Sequence, residues 1–310
     1  MCQDCGCSQP SPYQVGRKNQ PASAHSHGHH HDHGHSHTHV LPDGRVITHT
    51  HSHDHEASPA RHHHHHAPEL GHAERHHQEH ESSSQEKHQT LALKSDILSG
   101  NDQFAATNRD LFQSLGLLAI NVVSSPGSGK TTLLQKTIMA LAGRIRSAVV
   151  VGDLATENDA ARLRVTGAPV IPITTGTMCH LEAAMVAQAI NQLDLKGLDL
   201  LIIENVGNLV CPASFDLGEA LRIVLLSVTE GEDKPLKYPP MFHSADVVIV
   251  TKTDLAEPAG FDREQALKNI RQASPRAQIF EVSARNGAGL VTWCDYLVAA
   301  KAKSSSVSKR

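Results

Sequence analysis

Aromatic side chains make up only 3 % of the 310 residues, with a single tryptophan, so any core must be packed mainly by aliphatic side chains. No stretch approaches the ~20 consecutive apolar residues of a membrane-spanning helix. No apolar run follows Met1-Cys2-Gln3-Asp4-Cys5-Gly6-Cys7, so neither membrane insertion nor a secretory signal is expected. The formal charge of −4 offers no positive excess for nucleic acid or an anionic membrane surface. Cysteine is scarce too: there are six, three of them within the first seven residues. A phosphate-binding loop further along argues for the cytoplasm, where thiols stay reduced. Clustered cysteines there are expected to bind metal rather than form disulfides.

Histidine is what the chain has in excess. Of 25 histidines, all but His180 and His243 lie between His25 and His88. That tract, residues 24–89, is built from His, Ser, Gly, Asp and Glu, and holds too few apolar residues to bury a core. It is expected to lack structure without metal, apart from a turn within Val40–Ile47. Residues 1–23 form a polar leader, 90–303 a globular domain, and 304–310 a basic tail that frays from Lys301. Leu91–Leu117 suggests one or two amphipathic helices, interrupted near Gly100-Asn101.

Beyond that point apolar runs alternate with helical patterns. Strands are expected at Leu118–Ser124, Ala148–Gly152, Val170–Thr174, Leu198–Glu204, Arg222–Val228, Val247–Thr251 and Gln278–Val282. Helices are expected at Lys130–Ala142, Glu157–Val165, His180–Asn191, Arg263–Ala273 and Gly289–Ala300. Buried strands alternating with helices imply an α/β fold with a doubly wound, mostly parallel sheet.

Ser124-Ser125-Pro126-Gly127-Ser128-Gly129-Lys130-Thr131 follows the first strand and opens a helix. It matches the phosphate-loop pattern G-x-x-x-x-G-K-[ST], except that Ser124 replaces the first glycine. Gly127 and Gly129 let the backbone turn its N–H groups toward phosphate at the positive end of a helix, with Ser128 and Thr132 beside them. Lys130 would reach the β and γ phosphates, and Thr131 would ligate Mg²⁺. Asp153 and Glu204 each end a buried strand, where a carboxylate can hold Mg²⁺ or its waters, or orient the attacking water. The alternative is that each caps the next loop or helix. Glu204-Asn205-Val206-Gly207 resembles the D-x-x-G switch of GTPases, with Gly207 placed to sense the γ-phosphate. Thr251-Lys252-Thr253-Asp254 stands where GTPases carry N-K-x-D. Asp254 can accept two N–H donors that guanine has and adenine lacks, and the Lys252 stem can pack on the base. Ser283-Ala284 fits a second guanine-contacting loop, so GTP/GDP is favoured over ATP. No arginine stands where a stabilising finger is expected, which implies slow turnover.

Two further cysteine groups suggest soft metals. Cys2, Cys5 and Cys7 place three thiolates within six residues, suited to Ni²⁺, Zn²⁺ or Cu⁺. Cys179-His180 is expected to begin a helix, and Cys211 lies four residues beyond Gly207, on the loop that should respond to the γ-phosphate. Three ligands from one chain imply that a second copy completes the coordination. Cys294, beside Trp293, is expected to be a core thiol.

Taken together, Ser124–Thr132, Gly152–Thr156, Cys179–Ala183 and Glu204–Pro212 resemble the hydrogenase nickel-incorporation GTPases, the HypB family. The leader cysteines resemble that family's optional nickel motif, and the histidine tract its optional storage segment. The resemblance implies a SIMIBI-type P-loop GTPase that couples GTP hydrolysis to nickel delivery to the [NiFe]-hydrogenase large subunit. It also implies a small zinc- or nickel-binding partner protein and a GTP-linked homodimer with Cys179, His180 and Cys211 at the subunit contact. Thr251 departs from the family's Asn, and no further histidine follows His180 closely. Two alternatives stand beside this reading. One is a nickel store with a regulatory GTPase domain; the other is a urease accessory GTPase, whose metal motif is Cys-Pro-His.

Overall fold

The computed structural model describes residues 14–15, 35–40, 46–51 and 98–307. The chain divides into two units, Asn19–Ser84 and the remainder. In the smaller unit β2 (His35–Val40) pairs antiparallel with β3 (Val46–His51), from His35 opposite His51 to Val40 opposite Val46; residues 41–45 of the expected turn lie outside the described residues.

The larger unit is built on an eight-stranded sheet of order β1-β6-β5-β7-β4-β8-β9-β10. Its strands are β1 (Gln14–Val15), β4 (Leu118–Ser124), β5 (Ser147–Asp153), β6 (Val170–Thr174), β7 (Leu200–Glu204), β8 (Leu221–Ser227), β9 (Val247–Thr251) and β10 (Gln278–Val282). All pairings are parallel except that of β1 with β6. The seven parallel strands fall where the apolar runs place them, within two residues at each end. Leu200, Leu201, Ile202 and Ile203 are all fully buried, which requires helices on both faces of the sheet.

Alternate residues serve the two faces. Ile120 and Val122 pack with Val149, Val151 and Ile202 under α2 (Lys130–Leu141), α3 (Asn158–Arg164) and α8 (Leu290–Val307), where Leu134, Leu163 and Trp293 close the core. Ala119, Val150 and Ile203 face the opposite way. They meet Phe112 of α1 (98–114) and Met185 of α4 (Ala183–Ile190). Val123, Val224 and Val250 continue that face under α5 (Lys234–Lys237), α6 (Pro239–His243) and α7 (Arg263–Ala273), with Met241, Phe242 and Ile270 filling the space.

Three local expectations fail. α1 runs unbroken through Gly100-Asn101: nothing lies within 4 Å of a Cβ at Gly100, and the buried Asn101 side chain ties the helix to Asp216 O and Ala183 N. α4 starts at Ala183 rather than His180, because Glu182 is still extended (φ −108°, ψ 156°). The C-terminal end does not fray at Lys301. α8 continues to Val307, and the Lys301 ammonium is held by Gly116 O at 2.9 Å.

Candidate functional site

The parallel strands deliver Ser124, Asp153, Thr174, Glu204, Ser227 and Thr251 to one edge of the sheet. Gly129 adopts φ 96°, a left-handed conformation open to glycine at little steric cost, and α2 begins at the next residue without a side-chain cap. The first-turn N–H groups of α2 thus form an anion cradle. Ser124 explains why the missing first glycine is tolerated. Its hydroxyl oxygen accepts from the Lys130 ammonium at 3.0 Å and from the Ser128 hydroxyl at 2.5 Å, and so shapes the loop from inside.

A cavity of about 550 Å³ opens above this cradle. Gly127, Ser128, Gly129, Lys130, Thr131 and Thr132 form one wall, with Asp153, Glu204, Gly207 and Lys252 around the rest. Thr131 donates to Glu204 Oε1 at 2.7 Å, while Glu204 Oε2 is buried without a hydrogen-bond partner. Burial pushes the Glu204 carboxyl up to about 7, opposed by the Lys130 charge and the Thr131 hydrogen bond. Burial likewise lowers Lys130, against the attraction of Glu204. An unpartnered carboxylate oxygen beside a hydroxyl suits a hard divalent cation, so these residues fit Mg²⁺. Asp153 also caps its own loop, accepting from the Thr156 hydroxyl at 2.7 Å.

A second cavity of about 200 Å³ shares Ser128, Gly129, Thr132 and Lys252 with the first and adds Asp254 and Ala284. Ser283 donates to Asp254 Oδ1 at 2.5 Å, orienting the carboxylate. Lys252 sits at φ 57°, the sole non-glycine positive φ among the described residues, and donates to Gly127 O at 2.7 Å. Thr251 takes over the bracing duty of the expected Asn: its hydroxyl donates to Ser128 O at 2.8 Å.

The third group also assembles. Cys179 Sγ lies 2.8 Å from Cys211 Sγ and 4.0 Å from His180 Nδ1, and the candidate ligand atoms of the three residues lie within 4.8 Å of one another. His180 is 2 % exposed and stacks on Phe215 at 3.9 Å. Cys294 is a buried thiol, as expected of a core position, and Cys2, Cys5 and Cys7 lie outside the described residues.

One five-residue segment touches both sites. Glu204 meets Thr131, and a Cβ on Gly207 would lie 3.1 Å from Pro126 Cα in the phosphate loop. Between and beyond them, Asn205 Oδ1 accepts from Leu181 N at 3.2 Å, and the Asn208 amide donates to Cys179 O at 3.3 Å.

An arginine that the sequence pattern does not single out also stands at this cavity. Arg162 and Asp159, one turn apart on α3, both line the larger cavity, and Arg162 donates to Thr132 Oγ1 at 2.7 Å. Their i,i+3 spacing after Asp153 was the available signal.

Residues 118–281 match the profile of the CobW/HypB/UreG nucleotide-binding domain, just over half of the chain. The chain belongs to the CobW/HypB/UreG family. Among relatives, it is 53 % identical over 209 residues to hydrogenase maturation factor HypB of Azotobacter chroococcum, covering 67 % of this chain and 68 % of that protein. It is 46 % identical over 209 residues to the hydrogenase/urease maturation factor HypB of Helicobacter pylori, covering 66 % and 86 %. A crystal structure of Helicobacter pylori HypB in complex with nickel superposes with a TM-score of 0.63 at 44 % identity, covering 66 % of this chain and 96 % of that one. Glu204–Asn208 thus touches both the phosphate-loop cavity and the Cys179–His180–Cys211 cluster. Among the described residues, no helix is long and apolar enough to cross a membrane.

Proposed function

We propose that this chain is a cytoplasmic GTP-hydrolysing nickel metallochaperone that delivers Ni²⁺ to the [NiFe]-hydrogenase large subunit during its maturation. The observation that carries this reading is the Glu204–Asn208 segment, which contacts Thr131 and Pro126 on one side and Leu181 and Cys179 on the other. A change at the γ-phosphate that moves this segment also moves the walls of the thiolate pocket.

In the hydrolytic step, water attacks the γ-phosphorus and the bond to the β–γ bridging oxygen breaks, giving GDP and phosphate. Lys130 and the cradle N–H groups carry the phosphate charge, Asp153 orients the water, and Asp254, Ser283, Ala284 and Lys252 select guanine. Thr131 and Glu204 would hold Mg²⁺, with Asp153 close by; the ion supplies charge neutralisation when bound. Nickel is cargo. Cys179, His180 and Cys211 take it, with a second copy of the chain completing the coordination and Zn²⁺ as the competing occupant. Cys2, Cys5 and Cys7 and the histidine tract serve as capture and storage ligands, and a small zinc- or nickel-binding protein acts as partner. The double designation of the Helicobacter pylori relative makes urease the second client class to test.

The test is a Ni²⁺ titration of the reduced full-length protein carrying Cys2→Ser, Cys5→Ser and Cys7→Ser, followed by thiolate-to-nickel absorption. With GDP·Mg²⁺ and then a non-hydrolysable GTP analogue, the affinities should differ, and Cys211→Ala should remove the signal. Superimposable curves in the two nucleotide states would sink the reading.

A further inference from the structure

His180 presents its two ring nitrogens to different surroundings. Nδ1 faces the thiols, 4.0 Å from Cys179 Sγ. Zn–S and Zn–N bonds of about 2.3 and 2.0 Å place tetrahedral S and N ligand atoms about 3.5 Å apart, so Nδ1 needs to move only about 0.5 Å to reach an ion held by Cys179 and Cys211. A neutral imidazole that ligates through Nδ1 must carry its proton on Nε2.

That Nε2 is buried and has no hydrogen-bond partner. The Phe215 ring, stacked at 3.9 Å, restricts the imidazole from turning elsewhere. A buried N–H without an acceptor is unfavourable, so a metal-loaded site needs one. The acceptor at hand is Glu182 Oε1, 3.7 Å from Nε2, just beyond hydrogen-bond range.

The local chain explains why Glu182 stands there. Leu181 is fully buried, and the backbone at Glu182 is still extended ahead of α4. Glu182 occupies the N-cap position of α4 yet makes no side-chain cap hydrogen bond, so its carboxylate is not committed to the helix. Its side chain is 32 % exposed and has room to close the remaining gap.

We propose that Glu182 is the positioning residue of the metal pocket: it accepts the Nε2–H of His180 and thereby fixes Nδ1 as the metal-binding nitrogen. This rests on the reading that Cys179, His180 and Cys211 hold the transported ion. Carboxylates that accept from a ligating imidazole orient the ring and raise its basicity, and their loss commonly weakens metal binding ten- to a hundredfold.

The test uses the full-length protein with Cys2→Ser, Cys5→Ser and Cys7→Ser, and Ni²⁺ buffered by a chelator so that histidine-tract binding does not alter free metal. Thiolate-to-nickel absorption then reports Cys179 and Cys211. Glu182→Ser is the informative variant, because serine is a favoured N-cap that supports α4 but is too short to reach His180. It should raise the nickel Kd by at least tenfold, with GTP-analogue affinity and the thermal midpoint unchanged. Glu182→Gln, whose amide oxygen still accepts, should stay within about threefold of the parent. In a His180→Ala background, Glu182→Ser should add less than twofold. The proposal is overturned if Glu182→Ser leaves the Kd unchanged, if its penalty persists without His180, or if glutamine behaves like serine. A parent protein that shows no Cys211-dependent band would instead overturn the assignment of the metal pocket itself.

Discussion

Asn205 Oδ1 accepts the backbone N–H of Leu181 at 3.2 Å, joining the residue after Glu204 to the residue after His180. The same oxygen accepts from Val206 N at 2.9 Å, and the Asn205 amide donates to Asn121 Oδ1 at 3.3 Å in the floor of the sheet. The link is buried and fully satisfied. Asn205→Ala should therefore cost about 1–3 kcal/mol of stability through the orphaned Leu181 N–H. GTP-analogue affinity should stay within a few-fold, because the Asn205 side chain is committed to Leu181, Val206 and Asn121. The ratio of nickel affinities between the GDP and GTP-analogue states should collapse toward one; an unchanged ratio would show that coupling runs by another route.

Arg162 rests on Thr132 Oγ1 at 2.7 Å and lies 3.4 Å from Asp159, both contacts at half-exposed side chains. Neither contact is strong enough to hold it there once a polyphosphate fills the cavity. Arg162→Ala should lower kcat for GTP hydrolysis by tenfold or more, with KM altered less than threefold, as expected of a charge used chiefly in the transition state. Steady-state phosphate release measures it. A higher KM at constant kcat would reassign Arg162 to nucleotide binding alone.

Thr251 substitutes for the usual Asn with a single hydrogen bond, to Ser128 O. Thr251→Ala should cost about 1 kcal/mol and weaken GDP binding roughly fivefold by loosening the loop. Thr251→Asn should restore affinity to the parental level or above. Fluorescent-nucleotide titration distinguishes these outcomes.

Glu204 carries a pH signature. Its carboxyl is raised by burial to about 7 in the folded protein, from 4.5. The folded state then binds more protons than the unfolded state between those values, so stability falls as pH rises through that window. The metal- and nucleotide-free protein should lose thermal midpoint between about pH 4.5 and 7.5. Glu204→Gln should flatten this loss. Mg²⁺ with GDP should offset it above pH 7, where the carboxylate is ionised and available to the cation. Lys130, lowered by burial, acts in the opposite sense at alkaline pH, where stability rises toward its ordinary 10.5.

Much of this was legible in the chain itself, and the exceptions share a cause. Val170–Thr174 and Val247–Thr251 stand out as strands because buried parallel strands are continuous apolar runs. The phosphate loop stands out because its two glycines and lysine fall within four residues, Gly127–Lys130. α5 and α6 did not, since Pro235, Pro239 and Pro240 look like chain breakers, whereas the structure uses them at helix starts. Phe242 and Met241, fully buried, hold that segment through contacts distant in sequence. The delayed start of α4 depends on Asn205, 24 residues from its partner Leu181. Arg162 carries only a weak signal in the chain, its i,i+3 spacing from Asp159, and its place at the cavity depends on the contact with Thr132, 30 residues away.

The short edge strand β1 has a geometric consequence for the leader. Gln14 pairs with Thr174 and Val15 with Ile173, so the chain enters the sheet at the end of β6 that runs on toward Cys179. Cys7 is then on a seven-residue tether and can travel no further than about 25 Å from Gln14. For the proposed function, a tether that short would let an ion pass between the leader sulfurs and the rest of the same molecule without a collision between molecules.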